Sequence, residues 1–130
     1  MAKRLTLFFG LLFVAVGLLG YLPNEVVGPG GFFLTNGTHN IVHLSIGIIL
    51  LVTSAATNPA TAALWLDILG GIYFALAVIG FLMIGKTGSA WMFGTVHFNG
   101  PDNWLHLFLG IAMLSAGLST RARRPIFTGR

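Results

Sequence analysis

The chain has 130 residues, 55% of them hydrophobic and 8% charged, with a formal net charge of +4 and a mean hydropathy of +0.88. A soluble domain of this size buries only about two-thirds of the surface its unfolded chain exposes, so this much apolar surface points to lipid as the solvent. Six of the seven basic residues lie near the termini, which argues against a nucleic-acid partner, and the absence of cysteine excludes disulfides, thiolate metal sites and cysteine nucleophiles.

In chain order, the first predicted element is the uncharged run 5–22, preceded by Lys3 and Arg4. It is read as a retained span rather than a cleaved signal. The small-x-small triplet Ala15-Val16-Gly17 lies inside the apolar run, and none follows between Gly20 and Pro23. An outer loop, 23–36, then combines turn-forming glycines with the bulky Phe32, Phe33 and Leu34. Asn36 suits the N-cap of a second span, 38–57. A short inner turn, 57–63, leads to a third span, 68–84. Asp67 is expected there as a solvated carboxylate at the positive end of the helix.

The second outer loop, 85–101, carries Lys86, Trp91 and His97, the last expected as a surface or loop-packing residue rather than a fourth ligand. Asn99 suits the next N-cap, with Pro101 in the first turn and Asp102 favoured by the helix dipole. The fourth span covers 103–120, and the tail 121–130 contains Arg121, Arg123, Arg124 and Arg130. Each span is close to the roughly 20 residues a helix needs to cross about 30 Å of hydrocarbon. Backbone groups that find no water in lipid, together with the lack of strand alternation, make the spans helical.

The chain repeats itself. Asn40-Ile41-Val42-His43-Leu44 returns as Asn103-Trp104-Leu105-His106-Leu107, and Gly10, Ala15 and Gly20 return as Gly70, Ala75 and Gly80. Residues 5–57 and 64–120 therefore read as two copies of a two-helix unit. The expected fold is all-α: an integral membrane four-helix bundle made of two parallel two-helix repeats, forming a single domain over 1–130. The lysine and arginine bias places both termini in the cytoplasm, with the basic tail against anionic lipid headgroups.

On the second span Asn40, His43, Gly47, Leu51 and Ser54 share one side, as do Asn103, His106, Gly110, Leu114 and Gly117 on the fourth. Gly47, Ser54, Gly110 and Gly117 are helix-packing positions, and the two faces are expected to meet each other. The polar ends admit several readings. His39, Asn40, His43, Asp102, Asn103 and His106 serve as hydrogen-bonding glue between helices. Alternatively, His39, His43, Asp102 and His106 form a tetrahedral zinc set, with Asn40 and Asn103 orienting the rings. In a third reading His43 or His106 ligates a tetrapyrrole, with Gly47 or Gly110 making room. A fourth is proton relay through the His–Asp group. The residues do not choose among these, so the cofactor stays open. There is no Gly-rich phosphate loop, nucleophile–base pair or pair of carboxylates, so no enzyme activity is expected.

Thr38-His39-Asn40-Ile41-Val42-His43-Leu44 and Pro101-Asp102-Asn103-Trp104-Leu105-His106-Leu107 with Gly110 resemble a family of small bacterial four-helix membrane proteins, known only as a domain of unknown function. The resemblance covers nearly the whole chain. It implies a multi-pass protein of the bacterial inner (plasma) membrane whose His-Asn and Asp-Asn helix starts are the characteristic positions, and it supplies no activity or cofactor. The expected function is that of a non-enzymatic accessory or scaffold subunit, packing against other membrane subunits or copies of itself. The alternative is a metal- or tetrapyrrole-binding module. A channel or transporter ranks behind both, because the middle of the bundle is dry and apolar.

Overall fold

The apolar runs form four helices, α1 (Ala2–Leu19), α2 (Gly37–Ala56), α3 (Pro59–Ile84) and α4 (Gly100–Ala122), in a computed structural model that describes residues 1–122. Arg123, Arg124 and Arg130 of the expected basic tail lie outside the described residues. At about 1.5 Å per residue the helices run from roughly 27 to 39 Å, the scale of a bilayer. The helices α1, α2 and α3 are long and apolar enough to cross a membrane. The fourth, of 23 residues, is diluted by Asp102, Asn103, His106 and Arg121 and is not among them.

Helix α3 begins at Pro59, well before the expected residue 68. The side chain of Asn58 accepts hydrogen bonds from the amides of Ala60 and Thr61 at 2.9 and 3.0 Å, and Pro59 occupies the first turn, where its missing N–H costs nothing. The inner turn shrinks to Thr57 and Asn58 as a result. Asp67 then falls inside the helix rather than at its solvated start. Its Oδ2 lies 2.7 Å from Nη2 of Arg121, and the carboxylate is seated over Gly117, where a Cβ would collide with it. Arg121, expected at the headgroups, is thus engaged within the protein.

The loops before α2 and α4 contain short strands that the sequence does not announce. Strands β1 (Val27–Gly28) and β2 (Phe33–Leu34) pair in parallel, and β3 (Ser89–Met92) pairs antiparallel with β4 (Val96–Asn99). Phe93 and Gly94 make the β3–β4 turn with φ of 53° and 70°, the sense that matches the twist of a hairpin. Asn24 organises the first loop. Its Nδ2 donates to the carbonyls of Leu19, Leu22 and Val27, and its Oδ1 accepts from the amides of Val26 and Val27.

Packing corrects one expectation. The small-residue faces of α2 and α4 do not meet each other; α2 packs along α1 and α4 along α3. A Cβ on Gly47 would lie 2.7 Å from the backbone nitrogen of Val14 and 2.9 Å from the carbonyl oxygen of Gly10, and one on Gly110 would lie 2.6 Å from the nitrogen of Phe74 and 3.0 Å from the oxygen of Gly70. Glycine on both sides of each crossing allows the closest backbone approach, which settles the pairing within each hairpin. Ser54 adds a hydrogen bond of 2.8 Å to the carbonyl of Lys3 on α1.

The two hairpins join mainly through α1 and α3. The rings of Phe13 and Tyr73 stand 5.1 Å apart at that junction. Phe9, Leu50, Leu66, Leu69, Leu109 and Met113 complete the buried core around them.

Candidate metal centre

The N-terminal ends of α2 and α4 are fixed by their caps. The Oδ1 of Asn36 accepts the amide of His39 at 3.1 Å, which starts α2 so that His39 and His43 lie one turn apart on its buried side. At α4, Oδ1 of Asn99 accepts the amide of Asp102 at 3.2 Å, and Oδ2 of Asp102 accepts the amide of Asn99 at 2.8 Å, a reciprocal capping arrangement. One turn further on, His106 points back toward the α2 histidines.

Ring centroids of His39 and His43 are 4.5 Å apart, and those of His39 and His106 are 6.0 Å apart. The three side chains are buried, with exposures of 3%, 4% and 8%. One ring nitrogen from each lies within 4.8 Å of the other two.

Each ring is held by a different neighbour. Nδ1 of His39 is 2.9 Å from the carbonyl oxygen of His97, and because a carbonyl only accepts, Nδ1 carries the hydrogen and Nε2 keeps its lone pair. The His97 ring stacks on Trp91, with centroids 4.3 Å apart and planes 3° from parallel, which steadies β4 and its carbonyl. His43 lies 5.8 Å from the Phe13 ring, and His106 meets Tyr73 edge-on at 5.1 Å. The Nδ1 of His43 is buried without a hydrogen-bond partner among the described residues. Beside the cluster is a cavity of about 230 Å³, whose lining includes the three histidines, Tyr73, Met92 and Phe98.

Three of the four expected ligands are therefore together. Asp102 is not one of them, because its carboxylate is turned to the amide of Asn99 in its own helix start. Asn40 and Asn103 do not orient the rings either. Their side chains press onto Gly20 and Gly80, where a Cβ would collide with each amide, and Nδ2 of Asn103 donates to the carbonyl of Gly85 at 3.1 Å. Their Oδ1 atoms are buried without partners among the described residues. Among the described residues Gly47 and Gly110 do not open space for a tetrapyrrole beside these histidines, since they face α1 and α3, and the cavity there is smaller than the roughly 300 Å³ at which drug-sized pockets begin.

Tyr73, Met92 and the carbonyl of His97 were not singled out from the sequence. Phe13 and Tyr73 occupy matching positions relative to Gly10 and Gly70, a signal that an alignment of the two halves contains. Met92 carries no such signal.

Three imidazoles converging on one point, with a cavity on the fourth side, are a ligand set for a transition ion. At about 2.0–2.1 Å from a tetrahedral ion, ligand nitrogens stand about 3.3 Å apart, so the cluster must contract by up to about 1.5 Å. Rotation about the broad imidazole χ2 torsions supplies movement of that size. An ion bound through Nδ1 of His43 would also give that buried atom the partner it lacks, relieving a cost of about 1–3 kcal/mol.

A family described as a domain of unknown function, DUF4383, matches residues 3–119. No curated protein and no solved structure matches the chain.

Proposed function

The chain belongs to the DUF4383 family, and we propose that it is a membrane protein that holds one transition-metal ion on His39, His43 and His106. The observation that carries this reading is the convergence of three buried ring nitrogens within 4.8 Å, with the hydrogen bond from His39 to the His97 carbonyl presetting one of them. Such a bond is the usual outer support of a ligating histidine, since it fixes the tautomer and turns the other nitrogen toward the ion. All four helices span the bacterial plasma membrane as two copies of one hairpin, both termini are cytoplasmic, and the metal lies at the outer end. No catalysed reaction is part of the reading.

The test is metal content. Wild-type protein reloaded with a transition ion and desalted should retain about one ion per chain, and His43→Gln or His106→Gln should retain none. Chelator should lower the melting temperature of the wild type and leave both variants unchanged, because binding stabilises only the state that holds the ion. A wild type that binds no transition ion and gains no thermal stability from one would overturn the reading.

A second reading is the accessory or scaffold subunit. It draws on Gly71 and Ala75, small residues one turn apart on an exposed side of α3; a Cβ on Gly71 would meet open space. Small residues at that spacing let a neighbouring helix approach closely. Native-gel mobility of gently solubilised membranes separates the two ideas, since a free monomer of the chain's own mass contradicts the subunit role without touching the metal site.

A further inference from the structure

We infer that the ion is copper(I) and that the thioether of Met92 is its fourth ligand; this rests on the three-histidine reading above. The first argument is charge. Every group that faces the site is neutral: three imidazoles, a phenol, a thioether and apolar side chains. The acidic residues are elsewhere. Asp102 is committed to the amide of Asn99, Asp67 is paired with Arg121 beside Gly117, and Glu25 lies exposed in the first outer loop.

No carboxylate lines the cavity, so an ion entering it meets a neutral set of ligands. The desolvation cost of an ion rises with the square of its charge, so a monovalent ion incurs about a quarter of the penalty of a divalent one. Zinc, nickel or iron(II) would bring two charges onto neutral ligands among Phe98, Tyr73 and Val96, whereas copper(I) brings one.

The second argument is ligand softness. Met92 is half-buried on β3 and lines the same cavity as the three histidines. Thioether sulfur is a soft donor that suits copper(I) and is poorly matched to harder divalent ions. Methionine is also unbranched and flexible, so its sulfur can cross a cavity of about 230 Å³ to reach the ion. Its position helps, since Met92 immediately precedes the Phe93–Gly94 turn of the hairpin that covers the histidines. Copper(I) is a full-shell ion that accepts three nitrogens and one sulfur without a strong geometric demand. Binding needs no bond making or electron transfer.

The test is anaerobic titration of the detergent-solubilised protein with copper(I) against a chromogenic chelator, and in parallel with zinc(II) against its own competitor. Wild type, Met92→Leu and His106→Gln are compared. Wild type should bind one copper(I) at least roughly a hundredfold more tightly than zinc. Met92→Leu should weaken copper(I) by roughly tenfold or more and leave zinc unchanged, zinc binding serving as the control for an intact site. X-ray absorption of the copper(I) form should show a sulfur neighbour in wild type that is absent from Met92→Leu. Tight zinc binding without a preference for copper(I), or a sulfur-free copper site indifferent to Met92→Leu, overturns this inference and leaves the three-histidine centre standing. Failure of the wild type to bind either ion overturns both.

Discussion

Asn36 and Asn99 each cap one helix while holding the loop that leads into the other. Asn36 donates from Nδ2 to the carbonyl of Thr95 at 2.8 Å and accepts the amide of His97 at 3.2 Å, and Asn99 donates to the carbonyl of Phe32 at 3.0 Å and accepts the amide of Leu34 at 3.4 Å. Thr95 and His97 precede Asn99 by the same intervals at which Phe32 and Leu34 precede Asn36. Each of the two loops is thereby held by the residue that caps the other loop's helix. The strand that supplies the carbonyl to His39 is held by the same residue that starts the His39 helix.

Replacing Asn36 with alanine removes both the cap and the clamp, and is expected to cost about 1–2 kcal/mol. Asn36→Asp keeps the capping oxygen and loses only the Nδ2 donor, so its cost should be smaller. Amide exchange along β3–β4 should still accelerate in Asn36→Asp, measured by hydrogen–deuterium exchange in detergent micelles. Unchanged exchange in that hairpin would show that the contact to Thr95 does not hold the loop.

The glycine crossings yield substitutions of opposite sign. Gly110→Ala places a Cβ 2.6 Å from the backbone nitrogen of Phe74, an atom that cannot swing aside, and should destabilise by about 1–3 kcal/mol. Gly71→Ala meets open space and should stabilise by about 0.5–1 kcal/mol through helix propensity. Melting temperatures of the two variants in one detergent give the comparison; a loss in both would mean that the exposed side of α3 is also packed.

His39 and Asp102 stand at matching places in the two halves and separate the three-ligand set from the four-ligand one. His39→Gln should abolish stoichiometric metal binding. Asp102→Asn should retain about one ion per chain. Asp102→Ala should loosen the start of α4 at a cost of about 1 kcal/mol, again with metal retained. Loss of metal in Asp102→Asn would restore the carboxylate to the ligand set.

Orientation is open to chemical labelling. With both termini cytoplasmic, a cysteine replacing the exposed Lys86 should react with a membrane-impermeant maleimide added to intact cells, and one replacing Lys3 should react only after the membrane is opened. Reaction of the Lys3 variant from outside reverses the topology and moves the metal site to the cytoplasmic face.

Much of the helical architecture was legible in the sequence because its causes are local. A run of about 20 apolar residues makes a spanning helix wherever it sits. Asn36 and Asn99 cap because an amide oxygen near a helix start finds the free N–H groups two or three residues on. Asn58 obeys the same rule, and the Asn58-Pro59 pair was there to be read; the polar Thr57 to Thr61 stretch disguised it as an inner loop.

Partnership was not legible. The faces bearing Gly47 and Gly110 announce close packing but not against what, since one small face accepts any other. Only the assembled hairpins place Gly10 and Gly70 opposite them and bring Phe13 onto Tyr73. Spacing likewise offered His39 and Asp102 as equal ligands. Folding separated them: the Asp102 carboxylate is satisfied by an amide three residues away, whereas the His39 ring is set by a carbonyl 58 residues away. The first contact belongs to a single helical turn. The second exists only once the β3–β4 hairpin has been laid over the bundle, and that same step brings Met92 to the cavity. Hydropathy and caps therefore determined the helices, and long-range packing alone decided which side chains share a site.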